Sequence, residues 1–153
     1  MHLLKLRPLP DSELSEKDRE QYALLETLLL ELEQRQLPEV VLEDINREIE
    51  KINSCLPSEK NRNTILYKSR SSIIHLLEKK LELVPKNHYR NRWLALGIAA
   101  FGIPLGTIFS MSLDNYAFIG LGLPFGVALG ISIGTSLDKK ALENGKQLEF
   151  ENK

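Results

Sequence analysis

The sequence has little cysteine or histidine, and this scarcity removes several classes of function. A single cysteine, Cys55, in 153 residues excludes an intrachain disulfide and a cysteine-rich metal site. The three histidines, His2, His75 and His88, lack the spacing of metal ligands. No glycine-rich stretch ends in the Lys-Ser or Lys-Thr pair of a phosphate-binding loop, and the first ten residues lack the apolar run of a secretory signal. We therefore expect no enzyme, no metal site, no cofactor and no secretory signal.

Charge is almost absent from one part of the chain. Residues 93–137 hold a single charged side chain, Asp114, whereas residues 1–92 hold all but four of the Lys and Arg residues. This boundary predicts a domain in water, residues 1–92, followed by a segment in a different solvent. The last residues of the domain 1–92 form a basic juxtamembrane segment.

Two uncharged stretches lie within that segment, at 93–113 and 116–137. A helix needs about 20 apolar residues to cross a hydrocarbon layer of ~30 Å, so each stretch is long enough to span a bilayer. Only Asp114 and Asn115 separate them, which suits a tight turn. The sequence therefore predicts two antiparallel transmembrane helices that form a hairpin.

Basic residues flank the predicted hairpin on one side only. Arg90 and Arg92 precede the first span, Lys139 and Lys140 follow the second, and the turn has no Lys or Arg. Because positive residues stay on the cytoplasmic side, we expect a multi-pass membrane protein with both termini in the cytoplasm. Residues 138–153 are then a cytoplasmic tail. The bilayer is the first expected partner, and the bacterial inner membrane is the expected location.

Small residues recur every four positions in both predicted spans, which places them along one helix face. In the second span they are Gly122, Gly126, Gly130 and Gly134, and in the first Gly102, Gly106 and Ser110. A face without side chains lets another backbone approach closely, and such packing holds helices together in lipid. A second row on the second span, Pro124, Ala128, Ser132 and Ser136, lies about 200° away. One face can pack within the hairpin and the other most simply against another subunit, which predicts a homo-oligomer.

Each predicted span contains one proline. Pro104 and Pro124 fall at similar depths if the helices are antiparallel. Proline removes a backbone donor and tends to kink a helix. Two kinks at one depth could form a hinge or a constriction, and the alternative is that they only shape the packing.

Three amphipathic segments separated by prolines make up the remainder. Apolar residues at a spacing of three to four predict helices over 15–36, 39–54 and 59–84. No strand pattern competes with them. The predicted fold class is therefore all-α: a three-helix bundle or coiled-coil-like cytoplasmic domain followed by the transmembrane hairpin.

The charges of the cytoplasmic domain are divided by sign. Residues 1–50 carry a balance of −7, with 13 acidic and 6 basic side chains, and residues 51–92 carry +7, with 3 acidic and 10 basic. One interpretation is that an acidic first half packs against a basic third helix. The other is a cationic surface for an anionic ligand, a nucleotide or nucleic acid. Its candidate residues are Lys60, Arg62, Lys68 and Arg70.

The layout, with the glycine rows inside residues 97–138, resembles glycine-zipper two-transmembrane-helix proteins and small membrane effectors of bacterial antiphage defence. The resemblance implies a soluble domain that senses a signal and a membrane part that depolarises the cell. The expected function is then an oligomeric pore or membrane-perturbing effector, an ion channel of antiviral defence gated by the cytoplasmic domain. The alternative is a non-conducting membrane anchor or adaptor whose helical domain recruits a partner protein.

Overall fold

The computed structural model describes residues 2–8, 15–55 and 61–152. These residues are mostly helical and form two compact units. The first unit comprises residues 1–84 and 148–152, and the second comprises residues 85–147. The chain therefore divides after Val84, and residues 148–152 belong to the first unit.

Three helices make up most of the first unit: α1 (Glu16–Glu33), α2 (Glu39–Cys55) and α3 (Arg62–Leu81). Helix α1 begins at a capping box in which the amide of Asp18 donates to Ser15 Oγ at 3.2 Å and the amide of Ser15 donates to the Asp18 carboxylate. Such reciprocal bonds satisfy amides that a helix start leaves open.

Helix α3 ends before its predicted boundary. Glu82 adopts a left-handed conformation with φ of 56°, and the amide of Leu83 donates to the carbonyl of Leu77 at 3.2 Å. This arrangement closes the helix at its last turn. The predicted start at residue 59 lies outside the described residues.

All three helices contribute leucine and isoleucine side chains to one buried cluster. The fully buried ones include Leu25, Leu28 and Leu32 from α1, Ile45, Ile49 and Ile52 from α2, and Leu66, Ile73 and Leu77 from α3. Spacings of three to four residues bring these side chains to one face of each helix, which is the pattern that the sequence predicted.

Two short strands, β1 (Val84–Lys86) and β2 (Gln147–Glu151), pair in a two-stranded sheet. The expectation of a chain without strands is therefore wrong. Leu148 and Phe150 of β2 are buried in the core of the first unit, while Glu149 and Glu151 are exposed. This alternation is the period of a half-buried strand, but five residues are too few to distinguish it from a polar tail.

The carboxylate of Glu31 on α1 fixes the same strand. The backbone amides of Glu149 and Phe150 donate to its two oxygens at 2.8 Å each. Residues 148–152, which lie within the predicted cytoplasmic tail, therefore complete the first unit.

The second unit contains two helices that are long and apolar enough to span a membrane, His88–Ser112 and Tyr116–Glu143. The first apolar helix consists of α4 (His88–Gly97), a π-helical turn (Ile98–Gly102) and α5 (Ile103–Ser112). The second consists of a 3-10 turn (Tyr116–Phe118) and α6 (Ile119–Glu143). The first apolar helix begins at His88, before the predicted span 93–113. The second ends at Glu143, after the predicted span 116–137.

A tight turn joins the two apolar helices. Asp114 adopts a φ of 46°, and the amide of Asn115 donates to the carbonyl of Ser110 at 3.1 Å. Asn115 Oδ1 then accepts from the amide of Ala117 at 2.9 Å, which caps the start of the second helix. We refer to the two apolar helices and this turn as the hairpin.

Candidate functional site in the hairpin

The glycine row of the second apolar helix lies directly against the backbone of the first. A Cβ atom added to Gly126 would lie 2.6 Å from the carbonyl oxygen of Gly97, and one added to Gly134 would lie 2.5 Å from the Cα of Arg90. Added Cβ atoms at Gly122 and Gly130 would likewise overlap backbone atoms of the first helix. The row Gly122, Gly126, Gly130 and Gly134 is therefore the internal interface of one hairpin.

The first apolar helix supplies a matching row. Gly102 and Gly106 are buried against the second helix, Gly106 beside the carbonyl of Ile119, and Ser110 is only 5% exposed. The predicted packing residues of the two spans thus lie on facing sides. An oligomer that used these faces would have to displace the chain's own partner helix, so a contact between subunits requires another face.

Gly97 also belongs to this interface, although the sequence analysis missed it. A Cβ atom at Gly97 would overlap the backbone of Gly126 and Gly130. It lies five residues before Gly102, a spacing that puts two residues about 140° apart on an α-helix. The π-helical turn Ile98–Gly102 widens the helix by one residue at this point, which brings the two glycines onto one face. The five-residue spacing between Gly97 and Gly102 is the sequence feature that could have indicated this.

Asp138 ends the row with a capping contact. Its carboxylate accepts from the backbone amides of Tyr89 and Arg90 at 3.0 and 2.9 Å, and the residue is 7% exposed. These amides belong to the first turn of α4, where open donors and the helix dipole favour an anion. A carboxylate on one helix therefore caps the other and fixes the register of the hairpin.

Both prolines point away from the interface. Pro104 follows the π-helical turn at the start of α5, and Pro124 lies inside α6, and both are exposed. Gly102 faces Gly122 and Gly126, so Pro104 and Pro124 lie at nearly the same level of the hairpin. The π-helical turn Ile98–Gly102 lies directly before the first turn of α5, which contains Pro104. A hinge or constriction would have to form on the outer side.

The outer side of the hairpin is apolar. Its exposed side chains include Ile103, Ile108, Phe125 and Leu129, which are 53%, 58%, 56% and 44% exposed. The second small-residue row, Pro124, Ala128, Ser132 and Ser136, is exposed along its whole length. The second apolar helix thus carries one small-residue face that the hairpin fills and one that it leaves open.

Of the candidate cations that the structure describes, Arg62, Lys68 and Arg70, two are buried, so these three do not form one exposed surface. Arg62 and Arg70 are 3% and 1% exposed, whereas Lys68 is exposed. Lys60 lies outside the described residues. The Arg70 guanidinium lies 5.6 Å from the ring centroid of Tyr67. Burial lowers the pKa of Arg70, although Tyr67 and Glu20 oppose that effect.

A cross-helix ion pair supports the alternative of acidic and basic segments packed together. Lys80 Nζ on α3 lies 2.5 Å from Asp44 Oδ2 on α2. The hydrogen bond from Lys80 lowers the pKa of Asp44 below its usual value, with the charge of Arg47 adding a smaller effect. One pair of opposite charges therefore joins the acidic and basic halves of the first unit.

The basic flank of the hairpin is exposed. Arg90, Arg92, Lys139 and Lys140 all face solvent. Lys139 Nζ lies 3.9 Å from a carboxylate oxygen of Glu143, one turn along the same helix. All four positions are thus accessible for contact with lipid headgroups.

Comparisons with protein-family models, with curated proteins and with solved structures find no match for this chain.

Proposed function

We propose that the chain is a two-span membrane protein whose hairpins associate in the bilayer to form a pore or membrane-perturbing assembly. The observation that carries this proposal is the inverted packing of the hairpin, which buries glycine and exposes large apolar side chains. Exposed apolar patches of this extent are rare on soluble monomers and mark membrane or protein contacts. In a lipid bilayer these exposed apolar side chains would contact acyl chains, so their exposure would need no compensating contact.

The path of the chain supports a topology with both ends on one side. The chain leaves the first unit after Val84 and rejoins it at Leu148. Because one compact unit lies on one side of a bilayer, the segment between these residues must cross an even number of times. Two spans meet this requirement, and the exposed Arg92 and Lys140 favour the cytoplasmic side. The resemblance to antiphage effectors alone suggests the bacterial inner membrane and a role in antiviral defence.

The open small-residue row is the proposed contact between hairpins. Ser132 and Ser136 place hydroxyl groups on a face that a single hairpin turns to the acyl chains. Association would let them bond across helices or line water. The helical unit, acting as a three-helix bundle around its common core, would then sense the activating signal and gate the assembly.

A non-conducting anchor is the second candidate, and the use of the glycine row favours it. Because Gly122, Gly126, Gly130 and Gly134 are filled within one chain, a single hairpin is already a packed unit. Such a hairpin can hold one helical unit at the membrane, where that unit recruits a partner protein.

Two leucine substitutions separate these functions. Ala128→Leu enlarges the open row, whereas Gly130→Leu enlarges the filled row two residues away. The pore proposal expects Ala128→Leu to reduce both crosslinking between copies and dye leak from vesicles while the hairpin stays closed. Gly130→Leu should open the hairpin itself. Wild-type protein that neither crosslinks nor leaks under any trigger would reject the pore and leave the anchor.

A further inference from the structure

The N-terminal segment, residues 2–8, is held on α2 by two asparagine side chains. We call this segment the arm. The amide of Leu4 donates to Asn46 Oδ1 at 2.8 Å, and Asn46 Nδ2 donates to the carbonyl of His2 at 3.1 Å. One step further, the amide of Arg7 donates to Asn53 Oδ1 at 2.8 Å, and Asn53 Nδ2 donates to the carbonyl of Lys5 at 3.1 Å. Each asparagine thus bonds one carbonyl and the amide two residues later.

The spacing of the two asparagines on α2 is close to the spacing of the arm residues that they bond. Asn46 and Asn53 are seven residues apart on α2, which is a rise of about 10.5 Å. The bonded arm residues repeat every three positions, and three residues of polyproline-type extended backbone rise about 9.3 Å. An extended chain can therefore continue along the asparagines in register. The bonds go to backbone atoms, so they impose no side-chain sequence.

The side chains of the arm are at most partly buried, so its backbone hydrogen bonds are its main contacts. Leu3 and Leu6 pack on the edge of the core and are only partly buried, while Leu4 is 40% exposed. A cavity of about 210 Å³ remains between the arm and α1, with Lys5 of the arm and Glu26 and Glu33 of α1 on its walls. The arm is basic and the wall is acidic. Tyr22 Oη of α1 also donates to the carbonyl of Arg7 at 3.3 Å.

We propose that the face of α2 with Asn46 and Asn53 is a binding site for an extended peptide, which the arm of a second copy of this chain can occupy. The arm's sequence is the one shown to fit the site, and every copy carries both the arm and the site. The contacts that hold the arm are backbone bonds and half-buried leucines, and a second arm would reproduce all of them. This self-association goes beyond the proposed pore and does not depend on conduction.

Complementary variants of the full-length protein test the exchange. One variant lacks residues 2–8 and keeps the asparagines, and the other keeps the arm and carries Asn46→Ala and Asn53→Ala. Differently tagged and mixed in detergent, they should capture each other, because one supplies the arm and the other supplies the site. A control partner that lacks both features can associate only through the hairpin, so its capture sets the background that the complementary pair should exceed. Equal capture of the control would show that the exchange does not occur.

Milder substitutions and a check of helix content guard against unfolding of these variants. Asn46 is 6% exposed, so its replacement can unfold the unit, whereas Asn53 is half-buried and Asn53→Ala alone is the milder variant. Leu3→Asp with Leu6→Asp disables the arm without touching α2. Circular dichroism must show that each variant retains its helices before capture is compared.

A peptide measurement tests the site directly. A fluorescent peptide of residues 1–8 should bind the full-length variant that lacks residues 2–8. Binding should weaken at least about tenfold when Asn53→Ala is added or when both leucines of the peptide are replaced by aspartate, since amide bonds or apolar contacts are lost. No binding would overturn the site. Binding without mutual capture of the two variants would overturn its occupation by a second copy.

Discussion

The two units of this protein are packed in opposite ways. The first unit buries leucine and isoleucine, with Leu28, Ile45 and Leu66 at 0% exposure, and exposes most of its charged side chains. The hairpin buries Gly122 and Gly130 and exposes residues such as Ile108, at 58%. In water, removing apolar surface from solvent is the main stabilising effect. In lipid that effect is absent between helices, so close backbone approach takes its place. This contrast is the one expected if the first unit lies in water and the hairpin lies in lipid, as we propose.

Replacing isoleucine by alanine should separate the two units most strongly. Ile45 is fully buried in the first unit, and Ile45→Ala should lower its free energy of unfolding by about 2–5 kcal/mol because it leaves a cavity. Ile108→Ala on the outer side of the hairpin should change stability by no more than about 0.5 kcal/mol. Denaturant unfolding of the full-length protein in detergent, with hydrogen exchange in each unit, measures both. Equal losses would contradict the inverted packing.

Adding side chains should produce the reverse contrast within the hairpin. Gly122→Leu would drive a side chain into the backbone of Gly102 and Gly106, whereas Gly120 has nothing within 4 Å of an added Cβ. We expect Gly122→Leu to cost at least the roughly 1–3 kcal/mol of an overpacked core, and Gly120→Leu to be tolerated. Unfolding in sodium dodecyl sulfate, followed by circular dichroism, compares the two. A tolerated Gly122→Leu would show that the helices do not pack on this row.

Removal of the carboxylate at the end of the row should have an intermediate effect. Asp138→Ala deletes the cap on Tyr89 and Arg90 and should cost about 0.5–2 kcal/mol. The neighbouring exposed residue gives the control, Lys139→Ala, which should change little. Faster hydrogen exchange of the amides of residues 89 and 90 is the specific signal, and unchanged exchange would rule out the cap.

The ion pair of the first unit should have the smallest effect. Lys80→Ala should weaken stability slightly at neutral pH and low salt, and less in high salt, while Lys79→Ala on the same helix is the comparison. Lys80 holds the pKa of Asp44 below its usual 3.8, so the pair stabilises the folded state above that pH and is lost as pH falls through the lowered value. Thermal melts at several pH values test this. Stabilisation that instead grew under acid would contradict the sign.

The sequence predicted what depends on local period and composition. Helices α1 and α2, the tight turn at Asp114 and Asn115 and the two apolar helices all follow from patterns within about 25 residues. The sequence could not show which backbone packs against each small-residue face. A glycine row shows that another backbone comes close, and the contacts of Gly126 with Gly97 and Gly102 identify that backbone as the chain's own.

Other features depended on contacts distant in sequence. Arg70 has the charge of a surface residue but is 1% exposed, and Leu148 alternates with charges but joins a core built more than 60 residues earlier. Asn46 and Asn53 were overlooked because the periodicity of α2 concerns its apolar residues. Their role appears only when the arm is placed beside them.

Accessibility of two single cysteines tests the central claim, a lipid-embedded hairpin that returns to its own soluble unit. In a Cys55→Ser background, one variant carries Asp114→Cys at the turn and the other carries Glu149→Cys on β2, both at exposed positions. Spheroplasts are treated with a membrane-impermeant maleimide before and after permeabilisation. We expect Asp114→Cys to react in intact spheroplasts and Glu149→Cys to react only after permeabilisation. Reaction of Glu149→Cys from outside, or the same accessibility at both positions, would contradict it.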